Sequence, residues 1–161
     1  MPVIERRPGR LLRLVMRMPT WLFRAGLGRL LGRRFAYVVH RGRKTGLRRS
    51  TVLETIRYSP ESGEVVVVSG WGEKAQWYRN VLASGADEVH IGAHRYPRPE
   101  QRQLSPQETV ELLDEYVRAH PMAARLLGSI SSLRLSDAGE RERLARELPA
   151  LAFTPRAPAE Q

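Results

Sequence analysis

From residue 10 to 18 single arginines punctuate an apolar run. Arg10, Arg13 and Arg17 fall on one helical face, while Leu11, Leu12, Leu14, Val15 and Met18 cover most of the rest. The spacing predicts a basic amphipathic helix ended by Pro19. Thr20 can cap a second segment, in which Trp21, Leu22, Phe23, Leu27, Leu30 and Leu31 alternate with Arg24, Arg29, Arg33 and Arg34. Two arrangements suit this pattern: helices packed on the domain with a solvated basic face, or a membrane-surface contact to which Arg, Trp, Phe and Leu are suited.

Beyond residue 34 the period shortens. Stretches 35–40, 51–58 and 65–69 are rich in β-branched and aromatic residues and are separated by Gly- or Pro-containing turns, which predicts three antiparallel strands. Residues 75–83 read as a helix, 88–92 as a fourth strand, and 96–104 as a proline-interrupted edge strand or loop. Ser105-Pro-Gln-Glu108 supplies an N-cap, a first-turn proline and a capping-box glutamate for a helix running to about His120. Asp137 and Glu140 repeat that spacing before a helix near 141–148, and 151–153 can close the sheet. Strands with segregated helices and no βαβ repeat favour an α+β fold, an antiparallel β-barrel with flanking helices. The expected division is a basic helical segment (1–34), a barrel domain (35–155) and a disordered tail (156–161).

A chain of 161 residues with 42% hydrophobic content can bury one core, so a single compact domain is expected. The absence of cysteine excludes disulfides, thiolate catalysis, zinc–thiolate sites and iron–sulfur clusters. Arg13 and Arg17 interrupt the run that would otherwise resemble a signal-peptide core, and no small-x-small cleavage site follows it. No uncharged apolar stretch approaches the roughly 18–20 residues of a membrane-spanning helix. The expected location is cytoplasmic, with the N-terminal helix offering peripheral attachment to the inner face of the membrane.

Charge sharpens this picture. Residues 1–50 hold 14 Lys/Arg and one acid, whereas the remainder holds 13 and 16, so the net charge of +10 originates in the first third. Such asymmetry calls for an anionic partner: a polyanionic ligand, a membrane surface or nucleic acid. No nucleic-acid partner is expected, because the cations sit in one helix and one hairpin without a recognised binding motif.

Two stretches carry candidate chemistry. The loop Gly42-Arg-Lys-Thr-Gly46, followed by Arg48 and Arg49, lacks P-loop spacing. Its glycines can still turn backbone N–H groups toward oxygens, and its cations suit phosphate or carboxylate; a solvated turn that keeps the protein soluble accounts for the same residues. The run Ser69-Gly-Trp-Gly-Glu-Lys-Ala-Gln-Trp-Tyr-Arg-Asn80 leaves a strand through two glycines and enters a helix. There a flat ligand can approach the backbone and the free donors of a helix N-terminus, although tryptophans at such a place also serve as core packing. His40, His90 and His94 show no metal-like clustering, and no metal site is predicted.

Together these stretches resemble the deazaflavin-dependent nitroreductase and quinone reductase family, whose members share a Gly-Arg-Lys-Ser/Thr-Gly loop, a following arginine, and a Ser-Gly-rich turn leading to Trp-Tyr-x-Asn. The resemblance extends from about residue 11 to residues 120–121. It implies a split β-barrel of the flavin-reductase and pyridoxamine-phosphate-oxidase type, and binding of coenzyme F420. On this resemblance Arg43, Lys44, Thr45 and Arg49 would hold the phosphate and oligoglutamate tail. Ser50, Thr51, Val52 and Leu53 would add strand-edge contacts, and Val67, Val68, Ser69 and Gly70 would lie along the ring. Gln76, Trp77, Tyr78, Arg79 and Asn80 would close the phosphate side.

The implied reaction is hydride transfer from reduced F420 to a quinone-like or nitro acceptor, the cofactor carrying the chemistry. Where the nitroreductase pattern places acceptor-lining tyrosines, the matching positions here are Glu54, His120 and Ala123, which favours quinones over nitroimidazoles. His120 is the candidate proton donor. The family's lysine beside the strand-end serine is replaced by Gly70. Readings that remain beside this one are an FMN- or haem-binding split barrel and a non-catalytic basic module for membrane or nucleic acid. Either a monomer or a homodimer is compatible.

Overall fold

The computed structural model describes residues 22–23, 25–122, 124–125 and 137–157. The predicted helix carrying Arg10, Arg13 and Arg17, and the candidate Ala123, lie outside the described residues.

Among the described residues there are seven strands: β1 (Phe35–Arg41), β2 (Arg48–Tyr58), β3 (Val65–Val68), β4 (Ala86–Ile91), β5 (His94–Pro97), β6 (Glu100–Gln103) and β7 (Ala150–Thr154). Three α-helices accompany them: α1 (Gln76–Ser84), α2 (Pro106–Ala119) and α3 (Ala138–Glu147). All strand pairs are antiparallel, in the order β5-β4-β1-β2-β3-β7-β6. β2 is long enough to serve two half-sheets: positions 48–54 pair with β1, and Thr55, Arg57 and Tyr58 pair with β3.

The outermost strands β5 and β6 are joined by only Arg98 and Pro99, so the two edges must curl toward each other. The result is a split β-barrel. Gln101 ties the seam: its Oε1 accepts from the Ala86 amide at 3.2 Å, and its Nε2 donates to the Val81 carbonyl at 3.0 Å.

Hydrophobic pattern alone reads 96–104 as one interrupted edge, whereas the structure has two strands on opposite edges. Pro99 has no N–H to pair with, and Arg98 adopts a left-handed φ of 42°, its amide donating to the Asp87 carbonyl at 2.9 Å. β2 begins three residues before the predicted strand, because Arg48, Arg49 and Ser50 pair opposite Arg41, His40 and Val39 although their side chains are polar. α3 also starts early: the Asp137 carboxylate accepts from the Glu140 amide at 3.2 Å, which places the cap ahead of the apolar residues.

The valine run of β3 shows why alternation is missing there. Val65 and Val67 face the barrel interior with Ala36, Val38, Val89, Ile91 and Phe153. Val66 instead lies under the helical layer with Leu104, Leu112, Ala150 and Ala152. Both faces are covered, so the strand is apolar throughout. α2 opens with the expected capping box, the Glu108 amide donating to Ser105 Oγ at 3.2 Å and the Ser105 amide to Glu108 Oε2 at 2.8 Å.

On β4, Glu88 gathers Arg48 at 3.0 Å, Arg95 at 2.8 Å and His90 at 2.9 Å. The Arg95 hydrogen bond, opposed by burial and assisted by His90 and Arg48, holds this carboxyl at about 2, against an ordinary 4.5. A depressed carboxylate contributes stability above its unfolded pKa and loses it as pH falls through the folded value. We expect Glu88→Gln to lower stability at neutral pH by about 1–2 kcal/mol, a figure discounted because the arginine partners are solvent-exposed. In urea denaturation the difference from wild type should shrink between about pH 5 and pH 2. A difference constant across that window would remove Glu88 as the titrating group.

Candidate functional site

A cleft of about 510 Å³ opens where the end of β1, the start of β2 and the start of α1 converge. His40 lies at the end of the inward row Ala36, Val38, His40. Arg49, Ser50 and Thr51 contribute from β2, Trp71 and Lys74 from the segment after β3, and Ala75, Gln76, Trp77 and Asn80 from α1 and its entry. The Trp71 ring is 46% exposed, an open aromatic surface at the wall, while Trp77 reaches into the core cluster behind.

Two glycines make these turns possible. A Cβ on Gly42 would stand 2.6 Å from Thr45 Oγ1 and 3.1 Å from Arg49 Nε, so a larger residue there would displace both side chains. Gly72 combines a φ of +62° with a Cβ position 2.9 Å from the Glu147 carbonyl. The Ser69 hydroxyl is spent inside this turn, donating to the Gly72 carbonyl at 2.8 Å.

A polar chain connects the cleft to the loop. Asn80 Oδ1 accepts from the Arg43 amide at 3.1 Å and from its guanidinium at 3.1 Å; the same guanidinium nitrogen donates to Gln76 Oε1 at 2.9 Å. On its other side, Asn80 Nδ2 lies 3.3 Å from His40 Nδ1. Burial lowers the His40 pKa below the ordinary imidazole range. A hydrogen bond with the Arg41 backbone and the charge of Asp87 oppose the shift, and Arg49 adds to it. His40 is therefore largely uncharged at neutral pH, with Nδ1 free to accept from Asn80.

The loop cations divide into two sets. Arg41 pairs with Asp87 at 3.3 Å and Arg48 with Glu88 at 3.0 Å, both on β4. Arg43, Lys44 and Arg49 have no carboxylate partner among the described residues. Three positive charges without a balancing acid, one lining the cleft and two on the loop beside it, give this end of the barrel a positive potential. Among the described residues no group of three or more His, Asp and Glu could hold a metal ion, and no helix is long and apolar enough to cross a membrane.

A second cavity of about 300 Å³ follows β2 onward, between Arg33, Arg34, 54–58, Tyr116 and His120. Tyr116 donates to Glu54 Oε1 at 3.0 Å, and Arg34 reaches the same oxygen at 3.5 Å. Burial, followed by the Glu54 charge and the hydrogen bond to it, pushes the Tyr116 hydroxyl up to about 12, which keeps it protonated. The His120 ring lies 5.2 Å from that of Tyr116.

Of the sequence candidates, Arg49, Ser50, Thr51, Gln76, Trp77 and Asn80 line the first cleft, with Arg43 hydrogen-bonded at its edge. Lys44, Thr45 and Arg79 are exposed, and Val52, Leu53, Val68, Ser69 and Gly70 lie on or after the neighbouring strands outside the lining. Val67 is core, and Tyr78 is buried with its hydroxyl accepting from Gln103 at 2.7 Å. Glu54 and His120 meet in the second cavity. Sequence reasoning did not assign His40, Lys74 or Tyr116. Tyr116 had a local signal, four residues before His120 on one helix face; His40 is linked to Asn80 only through the fold.

The model of the F420H(2)-dependent quinone reductase family matches residues 15–125. Among solved structures, the F420-H2 dependent reductase FDR-A is similar at 21% identity and a TM-score of 0.51, over 76% of this chain and 95% of that one. A structure described as a domain-swapped dimer is similar at 20% identity and a TM-score of 0.50, over 84% and 98%. Atu2129 of Agrobacterium tumefaciens, of unknown function, is similar at 14% identity and a TM-score of 0.50, over 97% of this chain and 59% of that one. At these identities the likenesses concern the fold. No curated protein matches the chain.

Proposed function

This chain belongs to the F420H(2)-dependent quinone reductase family, and from that premise we propose that it passes hydride from reduced F420 to a quinone-like acceptor. The cofactor is held in the cleft between β1, β2 and α1. The observation that carries this placement is the unbalanced set Arg43, Lys44 and Arg49 beside an aromatic-walled cleft. A polyanionic tail supplies the missing negative charge.

When bound, F420 supplies the hydride and the electron chemistry. The chain supplies binding and order. Arg43, Lys44, Thr45 and Arg49 take the phosphate and tail carboxylates, and Ser50 and Thr51 the strand edge that lines the cleft. Trp71 and Trp77 wall the cleft against water. The acceptor occupies the cavity at Glu54 and His120, which begins three residues along β2 from Thr51, about 10 Å at the strand rise. There Tyr116 holds its proton against Glu54, and His120 stands on the exposed side of the cavity as the proton donor to the acceptor.

The acceptor is tested by mixing the protein with reduced F420 and following cofactor oxidation by absorbance. Menadione should turn over at least about tenfold faster than a nitroimidazole, a barrier difference of about 1.4 kcal/mol, because Glu54 and His120 stand at the positions matching the nitroreductase tyrosines, and the tyrosines that do line the cavity, Tyr58 and Tyr116, come from other positions. Tight F420 binding without turnover of any quinone would sink the acceptor assignment.

A further inference from the structure

We propose that His40 is a positioning residue for the cofactor: by holding the Asn80 carboxamide in one orientation, it keeps the Arg43 amide and guanidinium aimed at an anionic group of F420. The inference rests on the reading of the cleft as the F420 site.

Both members of the buried link are removed from solvent, His40 at 3% and Asn80 at 4% exposure. The carboxamide oxygen already accepts two donors from Arg43, which turns the carboxamide nitrogen to His40 Nδ1; the link therefore requires the neutral imidazole to carry its proton on Nε2 and leave Nδ1 to accept. Turning the carboxamide over would set its N–H groups against the Arg43 donors and its oxygen against the imidazole lone pair, which is repulsive at both ends. His40 thus adds the nitrogen-side constraint. Without its acceptor the buried Asn80 N–H is left unsatisfied, and only the Arg43 donors remain to hold the carboxamide in its orientation.

What depends on that orientation is the loop. Within itself, 42–47 is held by the Gly42 amide on the Leu47 carbonyl at 2.9 Å and by the Thr45 and Gly46 amides on the Gly42 carbonyl. Asn80 is the attachment of Arg43 to α1 that involves both its backbone and its side chain. Since Asn80 and Gln76 are neutral acceptors, the guanidinium keeps its full charge for an anion. His40 occupies the wall of the same cleft, 40 residues from Asn80 in sequence, so the link joins β1, the loop and α1 at one point.

The test compares wild type, His40→Leu and His40→Asn by F420 fluorescence titration and by steady-state quinone reduction. Loss of the acceptor in His40→Leu should raise Kd and KM for F420 about tenfold, while kcat at saturating cofactor changes less than about twofold. His40→Asn, whose Oδ1 can stand near the Nδ1 position, should recover most of that affinity. On an Asn80→Ala background the His40→Leu effect should vanish, since its route is gone. Should His40→Leu fail to fold, His40→Ala, which cannot overpack the strand end, carries the same comparison. Wild type that binds F420 alongside a His40→Leu variant of equal affinity overturns the inference alone, as does a loss of affinity that His40→Asn leaves unrepaired. Wild type that binds no F420 overturns the cofactor reading and the inference with it.

Discussion

Arg49→Ala should weaken F420 binding by about 1–3 kcal/mol, and Lys44→Ala by a similar amount, in a titration at low salt. Arg49 borders the cleft without an acid to neutralise it, so a phosphate or carboxylate bound there would be its first strong partner. Its neighbour Arg48 is the natural control. The same charge is removed by Arg48→Ala, yet Arg48 is already paired with Glu88 at 3.0 Å, and affinity should change by less than about 0.5 kcal/mol. Added salt should weaken wild type more than Arg49→Ala. Equal losses at Arg48 and Arg49 would mean that a diffuse field, and not a built site, attracts the cofactor.

A second large effect belongs to the barrel interior. Phe153 is fully buried on β7, paired in register with Val65 on one side and Gln101 on the other. Phe153→Ala should cost about 3–5 kcal/mol in urea denaturation, the transfer of the ring plus the cavity it leaves. The barrel offers little means of collapse there, because Val65, Val67 and Leu151 in the same cluster are fixed by strand pairing. A loss below about 1 kcal/mol would show that the interior refills, contrary to a closely packed barrel.

Strands β1 and β3 were legible because β-branched runs are bounded by turns, and α2 because its capping box is local. The β5–β6 corner was not. Whether residues 94–97 and 100–103 share an edge depends on how far the whole sheet curls, a sum over seven strands that no short window contains. The same division holds for the site. The Gly42–Gly46 loop announces itself through spacing and charge, and its partners Gln76 and Asn80 lie in the second motif. Which of the five cations in residues 41–49 stay available depends on Asp87 and Glu88, placed beside Arg41 and Arg48 by the β1–β4 and β1–β2 pairings. His40 looked like the polar end of a strand, since its neighbour Asn80 comes from a helix that only the folded chain brings near.

β2 has a consequence for how such a protein can change over evolutionary time. One uninterrupted strand borders the first cavity through Arg49, Ser50 and Thr51 and the second through 54–58, with no hinge or loop between them. The distance between the cavities is therefore inherited with the backbone and cannot be retuned by lengthening. Between Thr51 and Glu54 β2 pairs with β1 in unbroken register, ahead of the irregularity at Thr55–Arg57, and a residue inserted in that stretch without a bulge would turn the side chains after it to the opposite face. New acceptors must be accommodated by replacing side chains at fixed stations along the strand, so the lineage can alter the chemistry of its second cavity while its reach from the first stays constant.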